Sequence, residues 1–239
     1  MISTFISIII PGFNEERRIQ KTLKTLCDFC CNQFLKFEIL FIDDGSIDKT
    51  RSMVEQISKK NIHIRSLGYS KNLGKGYAIR YGLRHAKGKY IFFTDADLPY
   101  DPNFFCQAIE TFEKTGCDIV VGNRQLPQSK DEAGLSRKRL WASRIFSQLV
   151  QNMFNISIKD TQCGVKGFSK LCSHEIVKKS YINGYAFDVE IFVLAHKNGW
   201  RLESLPVTLV NDQLSKIRLG FDSFNILWEM LKLASKHNN

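Results

Sequence analysis

The sequence predicts an α/β fold, a single domain in which helices flank a mostly parallel, doubly wound sheet. Over the first hundred residues, short apolar runs alternate with stretches whose apolar residues recur at helical spacing. Acidic or glycine-containing turns close several of these runs. No repeat, low-complexity segment or linker divides the 239 residues, and this length suits one domain over 1–239.

The elements of the first half follow directly from these runs. Continuous apolar runs predict buried strands at 5–10, 37–42, 62–67 and 90–94. Periodic stretches predict helices at 15–29, around Met53, Val54 and Ile57 behind a cap at Ser46 or Asp48, and at 74–85. Because alternating strands and helices build a parallel sheet, we expect the carboxyl ends of these strands to form the edge where ligands bind.

The second half has a less regular pattern. It predicts a helix at 102–115, a strand at 118–121, a polar loop at 125–134 and a basic amphipathic stretch at 135–154. A strand at 164–168, a helix at 187–198, a strand at 203–210 and an amphipathic helix at 221–236 follow. No element in this half suggests a second domain.

The net charge of the chain indicates which classes of partner it can bind. A formal net charge of +10 favours a polyanion such as nucleic acid, an anionic membrane surface or a phosphorylated substrate. We expect no nucleic acid, because aromatic residues do not interleave with Lys and Arg as a stacking platform requires. The composition, with 44% hydrophobic residues, is that of a globular protein.

The cysteines and the apolar runs indicate the compartment. The seven cysteines include a cluster of Cys27, Cys30 and Cys31, but they have no disulfide-framework or zinc spacing. Buried reduced thiols in a cytoplasmic chain are expected, with a metal or redox role as the alternative. No signal peptide and no apolar run of the ~18–20 residues that span a membrane is found. The protein is therefore expected to be soluble or to lie on a membrane without crossing it.

Carboxylates follow two of the predicted strands. Asp95-Ala96-Asp97 comes directly after the strand at 90–94, and two carboxylates one residue apart can hold Mg²⁺ or Mn²⁺ beside phosphate oxygens. Asp43-Asp44-Gly45-Ser46 ends an earlier strand, where Asp43 can accept hydrogen bonds from a base or a ribose. An ordinary capped turn is the alternative at both places.

A glycine-rich turn supplies positive charge at a helix start. Asn72-Leu73-Gly74-Lys75-Gly76 places backbone N–H groups and the Lys75 ammonium where a phosphate can bind. The segment matches neither a Walker loop nor the G-x-G-x-x-G of dinucleotide-binding proteins. A dehydrogenase therefore loses support.

Taken in order, the motifs resemble the inverting family-two glycosyltransferases of GT-A fold. The carriers are Pro11-Gly12-Phe13-Asn14-Glu15-Glu16, the Asp43, Asn72 and Asp95 segments, and Gly122-Asn123-Arg124, which is similar to the G-S-R of the polyprenyl-phosphate branch. Residues 160–166 (D-T-Q-C-G-V-K) and 186–190 (A-F-D-V-E) resemble segments of dolichyl-phosphate β-glucosyltransferases. The likeness extends over about 6–207.

The resemblance implies roles for individual residues. It places the base, the ribose and the diphosphate of a nucleotide-diphosphate sugar against Pro11, Phe13, Glu15, Asp43, Lys75, Asp95 and Ala96. It implies a divalent metal on Asp95 and Asp97, and makes Asp97, Arg124 and Asp160 the catalytic candidates. Relatives often carry Gln or Gly two places after the second Asp, where this chain has Pro99, so no side-chain ligand is expected there. Residues 1–97 would bind the nucleotide and 98–210 the acceptor.

The implied activity is metal-dependent transfer of a hexose with inversion. UDP-glucose is the favoured donor, followed by GDP-mannose, and a polyprenyl or dolichyl phosphate is the favoured acceptor. A soluble glycan or another hydroxyl acceptor is the alternative, and an inactive nucleotide-sugar-binding scaffold is a further class. A phosphate acceptor is largely ionised near neutral pH, so Asp160 would orient it, whereas a hydroxyl would need Asp160 as a base.

The basic stretch at 135–154 is the candidate membrane contact. Arg137, Arg139 and Arg144 lie among apolar residues, a pattern typical of a helix in a membrane interface. A core helix with a solvated basic edge is the alternative. Dolichyl-phosphate relatives carry membrane anchors that this sequence lacks, so we expect a peripheral protein on the cytosolic face or one with a membrane-anchoring partner.

Overall fold

The computed structural model describes residues 1–134, 137–211 and 221–237, without the side chains of 137–142, 221–224 and 237. The strands of this part are β1 Ile6–Gly12, β2 Phe37–Asp44, β3 Ile64–Tyr69, β4 Tyr90–Thr94, β5 Ile119–Asn123, β6 Lys130–Asp131, β7 Val165–Ser169, β8 Leu202–Pro206 and β9 Thr208–Leu209. The helices are α1 Ile19–Gln33, α2 Thr50–Lys60, α3 Lys75–His85, α4 Asn103–Thr115, α5 Arg137–Phe154, α6 Lys170–Lys179, α7 Phe187–Asn198 and α8 Phe221–His237.

Seven strands form the central sheet in the order β3-β2-β1-β4-β7-β5-β8. Strands β1 to β4 pair in parallel, as do β5 and β8, whereas β7 runs antiparallel between β4 and β5. The predicted mostly parallel, helix-flanked sheet is therefore confirmed. A short parallel pair, β6 with β9, lies outside it.

The apolar runs are continuous because both faces of the sheet are covered. Ile8 and Phe92 belong to the core on the face that carries α1, α2 and α4, while Ile9 and Phe93 belong to the core on the face that carries α3, α6 and α7. Every residue of β2 is buried, as a central strand between two helical layers requires. This arrangement leaves only the strand ends available to a ligand.

Two predictions about elements in the second half are wrong, and one element was missed. The single strand expected at 203–210 is two strands, because β8 ends at Pro206, which has no backbone N–H to continue a ladder. The loop expected at 125–134 contains β6, and the backbone N–H of Lys130 donates to the carbonyl of Val207. Helix α6 was not predicted, although Ser169 caps it by accepting from the N–H of Cys172 at 3.2 Å.

The cysteines are free thiols, as predicted, and most of them are buried. Burial raises the pKa of Cys30 and Cys172 above the ordinary thiol value. Among the described residues, no helix is both long enough and apolar enough to cross a bilayer.

Candidate active site

The first two loops at the carboxyl edge of the sheet are bonded to each other. The N–H of Asn14 donates to Ser46 Oγ at 3.0 Å, and the N–H of Ile47 donates to Asn14 Oδ1 at 2.9 Å. Asn14 adopts a left-handed backbone with φ of 55°, which Asn tolerates better than most residues. The N–H of Glu15 donates to Thr50 Oγ1 at 2.7 Å, so the turn after β1 is fixed against the start of α2.

The two carboxylates at the end of β2, Asp43 and Asp44, differ in their hydrogen-bond partners. Asp44 accepts from the N–H of Leu73 at 2.7 Å and from that of Gly74, so it holds the glycine-rich turn, and burial raises its pKa. Asp43 is 1% exposed, and its Oδ1 accepts a long bond from the N–H of Ser46 at 3.3 Å. Its buried Oδ2 has no hydrogen-bond partner among the described residues. A buried acceptor without a partner is costly unless a ligand supplies the donor.

Asp95 lies between a lysine and a glycine. Its Oδ1 is 2.8 Å from Lys75 Nζ, at the first residue of α3. A Cβ on Gly164 would come within 2.0 Å of Asp95 Oδ2, so only glycine fits at the position before β7. The lysine and the glycine together fix where the Asp95 carboxylate points.

The surroundings of the Asp97 carboxylate disfavour its charged form. Burial, together with the charge of Asp95, raises the pKa of Asp97 to about 6. Its nearest cation is Arg18, at 3.8 Å, which also pairs with Glu15 at 2.7 Å. The next residue, Leu98, has a left-handed φ of 46°, and Asn211 Nδ2 donates to the Leu98 carbonyl at 3.0 Å. A bound cation would relieve the repulsion between Asp95 and Asp97.

The donor set at these two carboxylates fits a hard divalent cation. Within the described part of the chain, no cluster of three or more His, Cys, Asp or Glu side chains suits a metal. The protein would therefore supply the two oxygen ligands predicted from the sequence, Asp95 and Asp97, and leave further positions to phosphate oxygens and water, as Mg²⁺ commonly requires.

Behind Lys75 lies a buried ion pair that the sequence analysis did not assign. Asp188 Oδ2 is 3.4 Å from Lys75 Nζ, and Asp188 Oδ1 is 2.5 Å from Lys166 Nζ. Burial acts to raise the pKa of Asp188, but Lys166 and Lys75 hold it below its ordinary value. Burial likewise acts to lower the pKa of Lys75, and Asp188 and Asp95 keep it above the ordinary lysine value. The only sequence signal was the place of Lys166 and Asp188 in the two most specific family segments.

Arg124 and Asp160 form a second, separate charged pair. Arg124 Nε donates to Asp160 Oδ2 at 2.8 Å and Arg124 Nη2 donates to Oδ1 at 2.7 Å, while the Arg124 N–H adds a third bond at 2.9 Å. Arg124 Nη2 also donates to Ser143 Oγ on α5. Burial acts to raise the pKa of Asp160, but the bonds from Arg124 hold it below the ordinary value. The predicted phosphate-binding arginine and the predicted base thus contact each other.

The remaining predicted residues lie at the same edge or on its rim. Pro11 and Phe13 are half-buried around the end of β1. Ala96 is buried, and its carbonyl accepts from Thr22 Oγ1 at 2.7 Å. The roles of these residues in binding stay predictions.

Helix α5 has a buried side and an exposed apolar side. Ser147 and Val150 are buried, whereas Ile145 is 57% exposed and Leu149 is also exposed beside the exposed Arg144. The side chains of Arg137 and Arg139 lie outside the described residues. The helix thus contributes to the core, and the membrane contact stays a prediction.

A mostly parallel sheet with acidic side chains at its strand ends is what the predicted GT-A fold requires, and solved structures agree on the fold. The UDP complex of glucosyl-3-phosphoglycerate synthase from Mycobacterium tuberculosis superimposes with a TM-score of 0.72 at 17% identity, covering 97% of this chain and 80% of that one. The structure of Staphylococcus aureus TarS 1-349 gives a TM-score of 0.65 at 18% identity, covering 97% and 64%.

The chain belongs to glycosyl transferase family 2, whose sequence profile matches residues 7–176. It is 34% identical to a dolichyl-phosphate beta-glucosyltransferase of Dictyostelium discoideum, covering 98% of this chain and 75% of that protein. It is 31% identical to the dolichyl-phosphate beta-glucosyltransferase of Saccharomyces cerevisiae, covering 95% and 73%. The family predicted from the motifs is confirmed, and the protein is a glycosyltransferase.

Proposed function

We propose that the protein transfers glucose from UDP-glucose to a polyprenyl or dolichyl phosphate, with inversion and with Mg²⁺ or Mn²⁺. The observation that carries the proposal is that Asp43, with one oxygen lacking a hydrogen-bond partner among the described residues, and Asp97, with its raised pKa, lie with Asp95 at the ends of β2 and β4, on either side of β1. The names of the sequence relatives support the sugar and the acceptor. A glucosyl-3-phosphoglycerate synthase crystallised with Mn²⁺ and UDP supports the donor and the metal.

In this proposal, the donor lies along the carboxyl edge of the sheet. Asp43 Oδ2 would accept a hydrogen bond from the base, and Asp95 and Asp97 would hold a divalent cation that supplies positive charge beside the departing diphosphate. Lys75 adds a fixed positive charge beside Asp95. The glycine-rich turn, whose Leu73 and Gly74 N–H groups are bonded to Asp44, holds the start of α3, from which Lys75 extends.

The Asp160 carboxylate favours a phosphate acceptor over a hydroxyl. Both of its oxygens already accept from Arg124, and its pKa lies below the ordinary value, so it is a poor proton acceptor. A hydroxyl nucleophile needs a base, whereas a phosphate monoester, with a second pKa near ~6, is already ionised. Asp160 and Arg124 therefore orient the acceptor in this proposal and do not deprotonate it.

The test is a transfer assay with matched donors and acceptors. The protein is incubated with labelled UDP-glucose or GDP-mannose, with Mn²⁺, Mg²⁺ or a chelator, and with a polyprenyl phosphate or a soluble glycan. We expect the label from UDP-glucose in the organic phase, only with the lipid and a cation. Label in the aqueous product with the glycan would support the hydroxyl-acceptor alternative and contradict the proposal, as would transfer at full rate with the chelator.

We also propose that the protein attaches peripherally to the cytosolic face of a membrane through α5. Arg144 would contact lipid phosphates while Ile145 and Leu149 enter the interface. Since each basic residue near an anionic surface contributes about 1 kcal/mol, Arg144→Glu should weaken binding to phosphatidylserine vesicles by about tenfold. Lys24→Glu makes the same charge change at an exposed site on α1 and should have little effect. Equal co-sedimentation of the two variants would refute attachment through α5.

A further inference from the structure

Four charged side chains form a chain of alternating sign that begins in the core at Lys166 and Asp188 and ends at the partly exposed candidate metal site. Lys166 contacts Asp188 at 2.5 Å, Asp188 contacts Lys75 at 3.4 Å, and Lys75 contacts Asp95 at 2.8 Å. Lys166 is 0% exposed and Asp188 is 3% exposed. Two cations and two carboxylates leave no net charge, which is how a buried chain of this kind is tolerated.

The four residues come from four different elements. Lys166 lies in β7, Asp188 in the first turn of α7, Lys75 at the start of α3, and Asp95 directly after β4. Only Asp95 belongs to the two-carboxylate site. The other three connect that site to elements deep in the second core, where the Lys166 ammonium also lies over the ring of Phe93 at 5.4 Å.

Lys166 acts on the same carboxylate from a second direction. Its Nζ donates to the carbonyl of Cys163 at 2.8 Å, which holds the turn before β7. Gly164 lies in that turn, where an added Cβ would come within 2.0 Å of Asp95 Oδ2, while Lys75 contacts Oδ1. Asp188 thus holds the lysine that pairs with Asp95, and Lys166 holds the turn that leaves room for its carboxylate.

We propose that Asp188 and Lys166 are positioning residues that set Lys75 and Asp95 for the nucleotide diphosphate and its cation. The proposal rests on the proposed function for the identity of the ligand. Asp188 fixes the ammonium of Lys75 between two carboxylates. The Lys75 side chain is therefore already ordered when the diphosphate binds. Apolar residues can often replace a buried ion pair without loss of stability. The pair of Asp188 and Lys166 also contacts Lys75, a lysine of the candidate site, which a purely stabilising pair does not require.

The test compares Asp188→Asn, Lys75→Met and the double variant. Because removing a group that orients a metal or phosphate ligand costs about 10- to 100-fold, we expect Asp188→Asn to lower kcat and the calorimetric affinity for UDP with Mn²⁺ by that factor. If Asp188 acts through Lys75, the double variant is no worse than Lys75→Met alone. Losses that multiply in the double variant would overturn the proposal.

Glu190→Gln is the matched control on the same helix. Glu190 is buried and accepts from the N–H groups of Tyr181 and Ile182 at 2.9 and 3.0 Å, a structural role outside the chain of four. It should lower the melting temperature and leave UDP affinity unchanged. Asp188→Asn with the same pattern as Glu190→Gln would show that Asp188 is only structural.

Two further outcomes separate this inference from the proposed function. If Asp188→Asn does not fold, Asp188→Glu is tested in its place. We expect Asp188→Glu to have a lower kcat than wild type at a similar melting temperature. A kcat equal to that of wild type would contradict the positioning role. A wild type that binds UDP with Mn²⁺ but transfers to no acceptor refutes the proposed function, while the UDP titrations still decide the role of Asp188. A wild type that binds no UDP overturns both.

Discussion

Asp97 and Asp160 are both aspartates at the candidate active site, yet their surroundings differ: Asp160 is buried, whereas the side chain of Asp97 is 21% exposed. Asp160 accepts three hydrogen bonds from Arg124, and its pKa is held below the ordinary value. Among the described residues, the ion-pair partner of Asp97 is Arg18 at 3.8 Å, and partial burial together with the charge of Asp95 raises its pKa to about 6. One carboxylate is satisfied within the protein, and the other would be satisfied by a bound cation.

The difference separates a group that maintains the site from a group that binds the ligand. A carboxylate with strong protein partners stabilises the fold. Removing its charge destabilises the fold, because the charge of its partner is then uncompensated. A carboxylate with weak partners costs stability while it is ionised, which proteins tolerate where a ligand restores the balance. Opposite responses to the same Asp→Asn change are therefore expected at the two positions.

The largest expected effect is on transfer. Asp97→Asn removes one of the two predicted metal ligands, and we expect the rate of sugar transfer to fall by at least about 10³-fold. The melting temperature should not fall. The measurement is the organic-extraction assay beside thermal unfolding, and ordinary turnover by a folded Asp97→Asn protein would remove the metal role from this residue.

The second effect is on stability and falls on the other carboxylate. Asp160→Asn leaves the buried Arg124 guanidinium without its counter-charge, so we expect a loss of about 3–5 kcal/mol in the free energy of unfolding. Urea unfolding of the variant against wild type checks it. A loss below about 1 kcal/mol would show that the pair is dispensable for the fold and would make Asp160 available for catalysis.

The smallest effect is the pH dependence of stability that Asp97 contributes. Its folded pKa, about 6, lies above the ordinary 3.8, so ionisation costs stability as the pH rises through 6. Without metal, Asp97→Asn should be more stable than wild type by between about 1 and 3 kcal/mol near neutral pH. The advantage should vanish as the pH falls towards 3.8. Urea unfolding with a chelator across this range tests the sign, and a pH-independent difference would contradict the raised pKa.

The parts of the molecule predicted from the sequence are those that local pattern determines. Strand β4 and helix α7 have the predicted bounds, because a continuous apolar run and a helical period are each complete within a few residues. The acidic turns after β2 and β4 could be placed at one edge because parallel strands end on the same side.

The parts that were not predicted depend on partners distant in sequence. Strand β7 carries no signal of its antiparallel pairing, since its five residues, Val-Lys-Gly-Phe-Ser, fit either direction. Lys166 lies in that strand and would be expected in solvent, but Asp188 pairs with it across 22 positions. Arg124 and Asp160 are 36 positions apart in the sequence, so their motifs do not show that the two side chains bond to each other. That pairing makes Asp160 a weaker base than its motif alone suggests.

The antiparallel strand β7 also limits how this enzyme can be altered. Val165 pairs with Thr94, so Gly164 falls beside Asp95 only in this register. A slip of β7 by one residue would bring a bulkier side chain against the carboxylate and turn the strand's faces over. Grafting of segments from other transferases should therefore preserve the length of 160–166, so that this register is kept.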